Sequence, residues 1–173
     1  MKFRTFTLCV FSVFALGCER LPEGFPKLYP TTITITQEGE PLDEADVHLY
    51  RPDDPDFRWI IAGRTDSSGT ARLYTLVPPE LRKNGAPEGK FKVTVSKTTF
   101  DAVPSAPNPV DPPEVHRAYI EQIRTIDPHT HYFVEEEYSN LHTTQLEITV
   151  ERKRNSFTLD VGNKIHRKVP RQL

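Results

Sequence analysis

Apolar and polar residues alternate strictly in several short runs of this 173-residue chain. Residues 32–36 read Thr-Ile-Thr-Ile-Thr, and residues 90–97 place Phe91, Val93 and Val95 at every second position. Successive side chains of a β-strand point to opposite faces, so this period of two predicts half-buried strands. Five further runs share the pattern, and they are residues 45–50, 59–64, 70–75, 146–150 and 156–161.

Turn-forming residues separate these runs. Asp66-Ser67-Ser68-Gly69 predicts a tight turn in which Gly69 adopts a positive φ, and Pro78-Pro79 ends the fourth run. Seven short strands joined by turns predict a mainly β fold, an antiparallel seven-stranded sandwich.

The segment 111–126 is the exception, because its apolar residues recur with helical spacing. Asp111 is suited to cap a helix, and two prolines follow it in the first turn. Val115, Tyr119 and Ile123 lie four residues apart and share one face of such a helix. We therefore expect one short amphipathic helix within a long insertion.

The amino-terminal residues predict export. Lys2 and Arg4 precede an apolar run at residues 6–14, and Ala15-Leu16-Gly17-Cys18 follows. This layout is typical of a secretory signal, and its end resembles the lipobox of bacterial lipoproteins. The resemblance implies cleavage before Cys18, a lipid on that thiol, and an extracytoplasmic protein anchored to a membrane of the cell envelope.

Two alternatives apply to this leader. A permanent transmembrane anchor is disfavoured, because the apolar run is shorter than the roughly 18 residues that a spanning helix needs. An ordinary secretory signal cut at another position is the second alternative. If the lipobox is used, Cys9 leaves with the leader and Cys18 carries lipid. The mature domain then has no thiol for a disulfide or a zinc–cysteine site.

Charge is distributed unevenly along the chain. Residues 19–151 carry 13 Lys and Arg against 23 Asp and Glu, whereas residues 152–173 carry 7 against 1.

The predicted organisation is a signal peptide at 1–17, a tether at 18–30, a sandwich domain at 31–161 with an insertion at about 98–144, and a basic tail at 162–173.

Three motifs together resemble a known domain family. They are Gly39-Glu40-Pro41-Leu42, Thr65-Asp66-Ser67-Ser68-Gly69 and Gly89-Lys90-Phe91-Lys92-Val93, with Phe91 where the family usually has tyrosine. This order is similar to the carboxypeptidase regulatory-like, or transthyretin-like, domains of many small bacterial lipoproteins, and it covers most of residues 31–161. The resemblance implies an immunoglobulin-like or transthyretin-like sandwich. It also implies a non-catalytic binding or structural role toward an envelope or surface partner, without a cofactor.

The alternative function is a metal-dependent enzyme or a metal-binding protein. Pro128-His129-Thr130-His131-Tyr132 places His129 and His131 on one side of a strand, a spacing that allows two imidazoles to bind one transition metal. The stretch is similar to the iron motif of intradiol ring-cleaving dioxygenases. The opposing interpretation is a pair of exposed loop histidines.

Other groups of residues have two interpretations each. The acidic residues are calcium ligands or a solvated surface, and they are Glu135, Glu136, Glu137, Asp43, Glu44 and Asp46. The basic residues contact anionic lipid headgroups or are solvated, and they are Arg152, Lys153, Arg154, Lys164, Arg167, Lys168 and Arg171. The aromatic residues line a ligand site or pack in the core, and they are Trp59, Phe91 and Phe157.

Several classes of function have no support in the sequence. It contains no Gly-x-Ser-x-Gly elbow, phosphate loop or Gly-x-Gly-x-x-Gly fingerprint. The Tyr-Arg-Gly-Ser ending of the transthyretin-like enzymes that hydrolyse hydroxyisourate is absent, since the chain ends Val169-Pro170-Arg171-Gln172-Leu173. No aromatic platform or reading helix indicates nucleic-acid binding. The sequence therefore predicts a lipid-anchored binding or structural module.

Overall fold

The computed structural model describes residues 21–54, 56–77 and 81–171. Within them the chain forms fifteen strands and two helices. The strands are β1 (Leu28–Tyr29), β2 (Thr31–Gln37), β3 (Glu40–Pro41), β4 (Asp46–Tyr50), β5 (Ile60–Arg64), β6 (Thr70–Arg72), β7 (Tyr74–Val77), β8 (Leu81–Asn84), β9 (Ala86–Pro87), β10 (Gly89–Ser96), β11 (Thr98–Phe100), β12 (His129–Tyr132), β13 (Glu147–Val150), β14 (Asn155–Asp160) and β15 (Arg167–Pro170). The helices are α1 (Pro113–Thr125) and α2 (Glu136–Ser139).

Two sheets enclose the core. The larger sheet has six antiparallel strands in the order β13-β10-β4-β5-β7-β8. The smaller has the order β14-β2-β3, and β6 also pairs with β2. Apolar side chains of both sheets form one cluster, which includes Ile33 and Ile35 of β2 and Phe91 and Val93 of β10. The prediction of a mainly β, antiparallel sandwich with a short helix is confirmed.

Strand β2 shows how alternation determines which residues are buried. Ile33 and Ile35 are fully buried, whereas Thr34 faces the other side and its Oγ1 lies 3.2 Å from Oγ1 of Thr70. Burying one such apolar side chain contributes about 1.5–3 kcal/mol. A register shift of one residue would expose both isoleucines, so the register is strongly specified.

The predicted fourth strand is two strands, because the chain changes sheets at Leu73. β6 pairs with β2, whereas β7 pairs with β5 in the larger sheet. Leu73 donates its backbone N–H to Thr31 O at 3.0 Å and accepts from Gly85 N–H at 2.8 Å. Its side chain is buried. The period of two continues through the crossing, so alternation alone does not reveal it.

The closing strand β14 runs parallel to β2, unlike the other strand pairs among the described residues. It begins at the buried residue Asn155, which accepts the backbone N–H of Glu151 at 3.0 Å through Oδ1. Asn155 Nδ2 donates to the carbonyl oxygens of Glu151 and Lys153 at 3.0 and 2.7 Å. These bonds close the turn through which the chain passes from β13 to the other sheet.

The insertion and the predicted tail form a third, smaller sheet. β12 pairs antiparallel with β11 on one side and with β15 on the other. β15 lies inside the segment predicted as a basic tail, and it pairs with β12 from His129↔Pro170 to Tyr132↔Arg167. Arg167–Pro170 contains no alternating apolar run, so the sequence pattern did not indicate this strand.

Helix α1 matches the helix predicted at 111–126 but begins at a different cap. The N-cap is Pro112, which makes no side-chain capping bond. Asp111 Oδ2 instead accepts the backbone N–H of Asn108 at 2.8 Å, so the predicted capping role of Asp111 is wrong. A proline at the cap has no side-chain acceptor, and Asp111 closes the turn before it.

The predicted turn at residues 66–69 is present, and Gly69 has a φ of 72°. A Cβ at this position would lie 2.6 Å from Ile35 O, so both the conformation and the space require glycine. Hydrogen bonds from the Ser68 hydroxyl and from the N–H groups of Thr70 and Ser68 lower the pKa of Asp66. The Asp66 side chain therefore stabilises the turn in its charged form.

We expect Phe91→Ala to lower the free energy of unfolding by about 3–5 kcal/mol, because truncating a fully buried ring leaves a cavity. The matched control is Phe100→Ala, which removes a ring that is 61 % exposed. The control should change this free energy by less than about 1 kcal/mol. Chemical denaturation measures both, and equal losses would contradict a core role for Phe91.

Candidate functional site

The predicted lipidation site, Cys18, lies outside the described residues. The predicted tether is described from Leu21 onward, and its strand β1 pairs with β9 at Leu28↔Pro87. The end of the tether is therefore attached to the sandwich. Neither of the described helices could span a bilayer, since α1 has 13 residues and α2 has 4.

The predicted histidines, His129 and His131, both lie on β12 and approach the carboxylate of Asp101. His131 Nε2 is 2.8 Å from Asp101 Oδ1. The backbone N–H of His129 donates to Asp101 Oδ2 at 3.0 Å. Pairing of β11 with β12 produces these contacts. The hydrogen bond from His131, followed by the one from the His129 backbone, lowers the pKa of Asp101.

A third histidine extends this contact. His166 Nε2 lies 2.8 Å from His131 Nδ1, and the His166 ring stacks on Phe133 with centroids 5.0 Å apart. We call Asp101, His131 and His166 the histidine row. Sequence reasoning missed Asp101 and His166, which are 30 and 35 residues from His131. No local motif connects them, and pairing in the third sheet brings them together.

The contacts of the histidine row link the donor and acceptor roles of the His131 and His166 ring nitrogens. When His131 is neutral and donates from Nε2 to Asp101, its Nδ1 is an acceptor and His166 is the donor. When His131 is charged, both its nitrogens donate and His166 Nε2 accepts. In each of these two cases one ring nitrogen donates and the other accepts. The row is therefore suited to passing a proton between two imidazoles.

The geometry does not strengthen the metal interpretation. The described residues contain no group of three or more His, Cys, Asp or Glu side chains that is placed to hold a metal ion. Both ring nitrogens of His131 are in hydrogen bonds, which a metal would have to replace. His129 Nδ1 is 3.4 Å from Asp101 Oδ2 but is not aligned for a hydrogen bond. Metal binding by His129 and His131 stays a prediction.

The acidic residues considered for calcium also form no such group within the described ranges. Asp43 pairs with Lys97 at 2.5 Å, and Glu136 pairs with Arg167 at 3.2 Å. The hydrogen bond and the charge of Lys97 lower the pKa of Asp43. These two carboxylates are thus neutralised by separate cations.

The three aromatic residues considered for a ligand site have different environments. Phe91 is buried in the core, and Phe157 is half-buried against it. Trp59 contacts Phe25 edge-to-face at 5.0 Å and lines an open cavity of about 530 Å³. Other apolar residues of this cavity are Leu49, Tyr50, Phe57, Ile60, Ile61 and Leu141. Apolar cavities of this size are typical of binding sites.

The basic residues fall into two separate groups. Arg152 lies in the turn before β14, where its Nε donates to Glu88 Oε2 at 2.6 Å. Arg167 lies on β15 and pairs instead with Glu136. The single basic surface considered from the sequence is therefore divided between two places in the fold.

Helix α1 carries an apolar stripe that the rest of the described protein does not bury. No residue of α1 is buried, and Val115 and Ile120 are 44 % and 48 % exposed. Tyr119 and Ile123 are half-buried. Val115 and Ile120 are five positions apart and lie at the two edges of the stripe, with Tyr119 and Ile123 between them. A contiguous, incompletely covered apolar stripe is a candidate interaction surface.

Comparisons with known proteins found no matching family model, no matching curated protein and no matching solved structure. The residues and their geometry therefore provide the basis for proposing a function.

We expect Asp101→Asn to make the fold less sensitive to acid. Because the folded state lowers the pKa of Asp101, its stabilising contribution is present above the unfolded value of about 3.9. That contribution is lost as the pH falls through the lower folded pKa. Thermal unfolding between about pH 7 and about pH 2 should show a smaller decline of Tm in the variant than in the wild type.

The matched control for this measurement is Asp127→Asn. Asp127 Oδ2 lies 3.6 Å from His129 Nε2, but its side chain is 80 % exposed. This control should keep the wild-type decline of Tm. A wild-type decline in Asp101→Asn as well would contradict a stabilising role for the charged Asp101.

Proposed function

We propose that the protein is a non-catalytic accessory module of the cell envelope, anchored by a lipid on Cys18, and that it binds another protein through helix α1. The observation that carries this proposal is the stripe on α1, none of whose residues is buried. The lipobox-like Ala15-Leu16-Gly17-Cys18 supports the anchor. The resemblance of the sequence motifs to carboxypeptidase regulatory-like domains supports an accessory role.

The length of α1 argues for a partner. Isolated helices shorter than about 12–15 residues are marginal in water, and α1 has 13 residues. In proteins most helical stability comes from packing an apolar face. Val115 and Ile120 are only partly covered. A partner that covers them would supply the remaining stabilisation.

The charges of α1 favour a protein groove over a lipid surface. Glu114 and Glu121 balance Arg117 and Arg124, so these four residues carry no net charge. Helices that lie in membrane interfaces are usually rich in Lys and Arg on their polar face. An amphipathic helix without such an excess suits an apolar groove, which it enters through residues three and four positions apart. We assign this groove to an envelope protein.

We expect the double variant Val115→Lys and Ile120→Lys to reduce partner binding at least about tenfold, because it places unpaired charges in the interface. Lysine favours helix at least as well as valine and isoleucine do, so α1 is retained. In-cell cross-linking of the full chain, with cross-links mapped to residues 113–125 by mass spectrometry, measures the binding.

The matched control is Ile60→Lys, which alters an isoleucine that is 56 % exposed in the cavity beside Trp59. It should leave the cross-link to α1 unchanged. If Ile60→Lys removes the cross-linked partner and the α1 variant does not, the partner binds the sheet and the assignment to α1 is wrong.

The lipid anchor has a separate test. Cys18→Ser should move the protein from the membrane fraction to the soluble fraction, because a serine hydroxyl does not accept the lipid that a lipoprotein thiol carries. Cys9→Ser, in the predicted leader, is the matched control and should remain in the membrane fraction. Membrane retention of Cys18→Ser would contradict the anchor.

A further inference from the structure

A second open cavity, of about 500 Å³, lies beside the end of the tether. Three cationic side chains line it, those of Lys27, Arg51 and Arg152, together with the carboxylate-bearing residue Glu88. Pairing of β1 with β9 brings the tether beside residues 86–88. Four separate parts of the sequence, at residues 26–29, 51, 87–88 and 152, thus contribute to one basic cavity.

The turn before β14 completes this cavity. Asn155 donates its backbone N–H to Pro30 O at 2.8 Å, which holds the turn next to the tether. Arg152 in this turn donates from Nε to Glu88 Oε2 at 2.6 Å. The hydrogen bond and charge of Glu88 raise the pKa of Arg152.

Arg51 is held in a defined orientation in the cavity wall. Its guanidinium lies over the rings of Phe57 and Phe91, 4.5 and 5.1 Å from their centroids, and Nη2 donates to Glu88 O. Gly89 leaves the space for this group, since a Cβ there would lie 2.5 Å from Arg51 Nη2. Arg51 Nε is buried without a hydrogen-bond partner. One donor of Arg51 is thus unused.

Positive charge exceeds negative charge in the cavity. Glu88 is the only acidic residue among the described residues that line it, against Lys27, Arg51 and Arg152. Lys27 forms no ion pair with a described residue, and its Nζ lies 5.7 Å from the centroid of the Tyr29 ring. Arg51 Nη1 also donates to Asp54 Oδ2 at 3.5 Å, and Asp54 is not among the described residues that line this cavity. An anion is therefore the ligand that this cavity favours.

We propose that this cavity binds a phosphate group. Arginine presents planar N–H donors that match phosphate oxygens, and lysine adds a compact charge. Free phosphate esters and phospholipid headgroups share this chemistry. Cys18 precedes Pro26 by eight residues, which span at most about 30 Å, so a bilayer holding Cys18 would place headgroups within reach. The proposal does not depend on α1.

The first experiment titrates the full chain carrying Cys18→Ser with inorganic phosphate at constant ionic strength. We expect a saturable rise of Tm with phosphate and none with chloride, because a ligand that binds the folded state stabilises it. Lys27→Gln and Arg152→Gln should each weaken phosphate binding at least about tenfold. Arg64→Gln and Lys164→Gln, which lie outside the cavity, are the controls and should bind as the wild type does.

Glu88→Gln gives a test of opposite sign. It removes the carboxylate that competes with phosphate for Arg152, so phosphate should bind more tightly. If the Arg152–Glu88 pair is only structural, Glu88→Gln and Arg152→Gln both lower the Tm measured without phosphate, and both leave the affinity for phosphate unchanged. That result overturns the proposal, as does equal weakening in the two control variants.

Vesicles separate the two sources of phosphate. Co-sedimentation with phosphatidylglycerol vesicles that is lost in Lys27→Gln and Arg152→Gln, but kept in the controls, identifies the headgroup as the ligand. Binding of inorganic phosphate without vesicle binding supports the site and identifies a soluble phosphate. Absence of binding to both probes overturns the proposal.

Discussion

The packing of β2 against β4 and β10 is the interaction on which the other elements depend. Ile33 and Ile35 of β2 meet Val47 and Phe91 in one buried cluster. β2 pairs with β14, β3 and β6, and β10 pairs with β4 and β13, so most of the sandwich strands are attached to these two. The described residues contain no cysteine. Cohesion therefore comes from apolar burial and backbone pairing, without a disulfide.

Most residues of the candidate sites lie outside this packing, and Arg51 contacts it through the ring of Phe91. The histidine row belongs to the third sheet, and the apolar stripe belongs to the inserted helix. The basic cavity is formed by the tether, the residue after β4, residues 87–88 and the turn before β14. Loops tolerate insertions and sequence variation that a packed core does not. A rigid sandwich is therefore a suitable scaffold for such surfaces. Each surface also has a different dominant force. Hydrogen bonds hold the histidine row together, positive charge characterises the cavity, and exposed apolar residues characterise α1.

The sequence predicted the local elements well where one periodicity continued through an element. The threonine–isoleucine alternation of β2, the alternation of β10 and the helical spacing of Val115, Tyr119 and Ile123 each matched the structure. The sequence did not predict two features of the strands, because the alternation of apolar residues does not indicate either of them. Leu73 continues the alternation while the chain crosses between sheets, and β15 has no alternation although it pairs with β12. Of the candidate sites, the sequence indicated His129 and His131 but neither Asp101 nor His166.

The sequence by itself determined the faces of the strands and the helix, because side-chain direction follows from local backbone geometry. It also determined the turn at Gly69, which depends on contiguous residues. The leader at residues 1–17 stays a prediction from the sequence. The tertiary structure alone decided which distant polar groups meet. His131 contacts Asp101 and His166, and Arg152 contacts Glu88, through strand pairing between segments far apart in the chain. Such contacts depend on sheet order and register, and a local hydrophobic pattern contains neither.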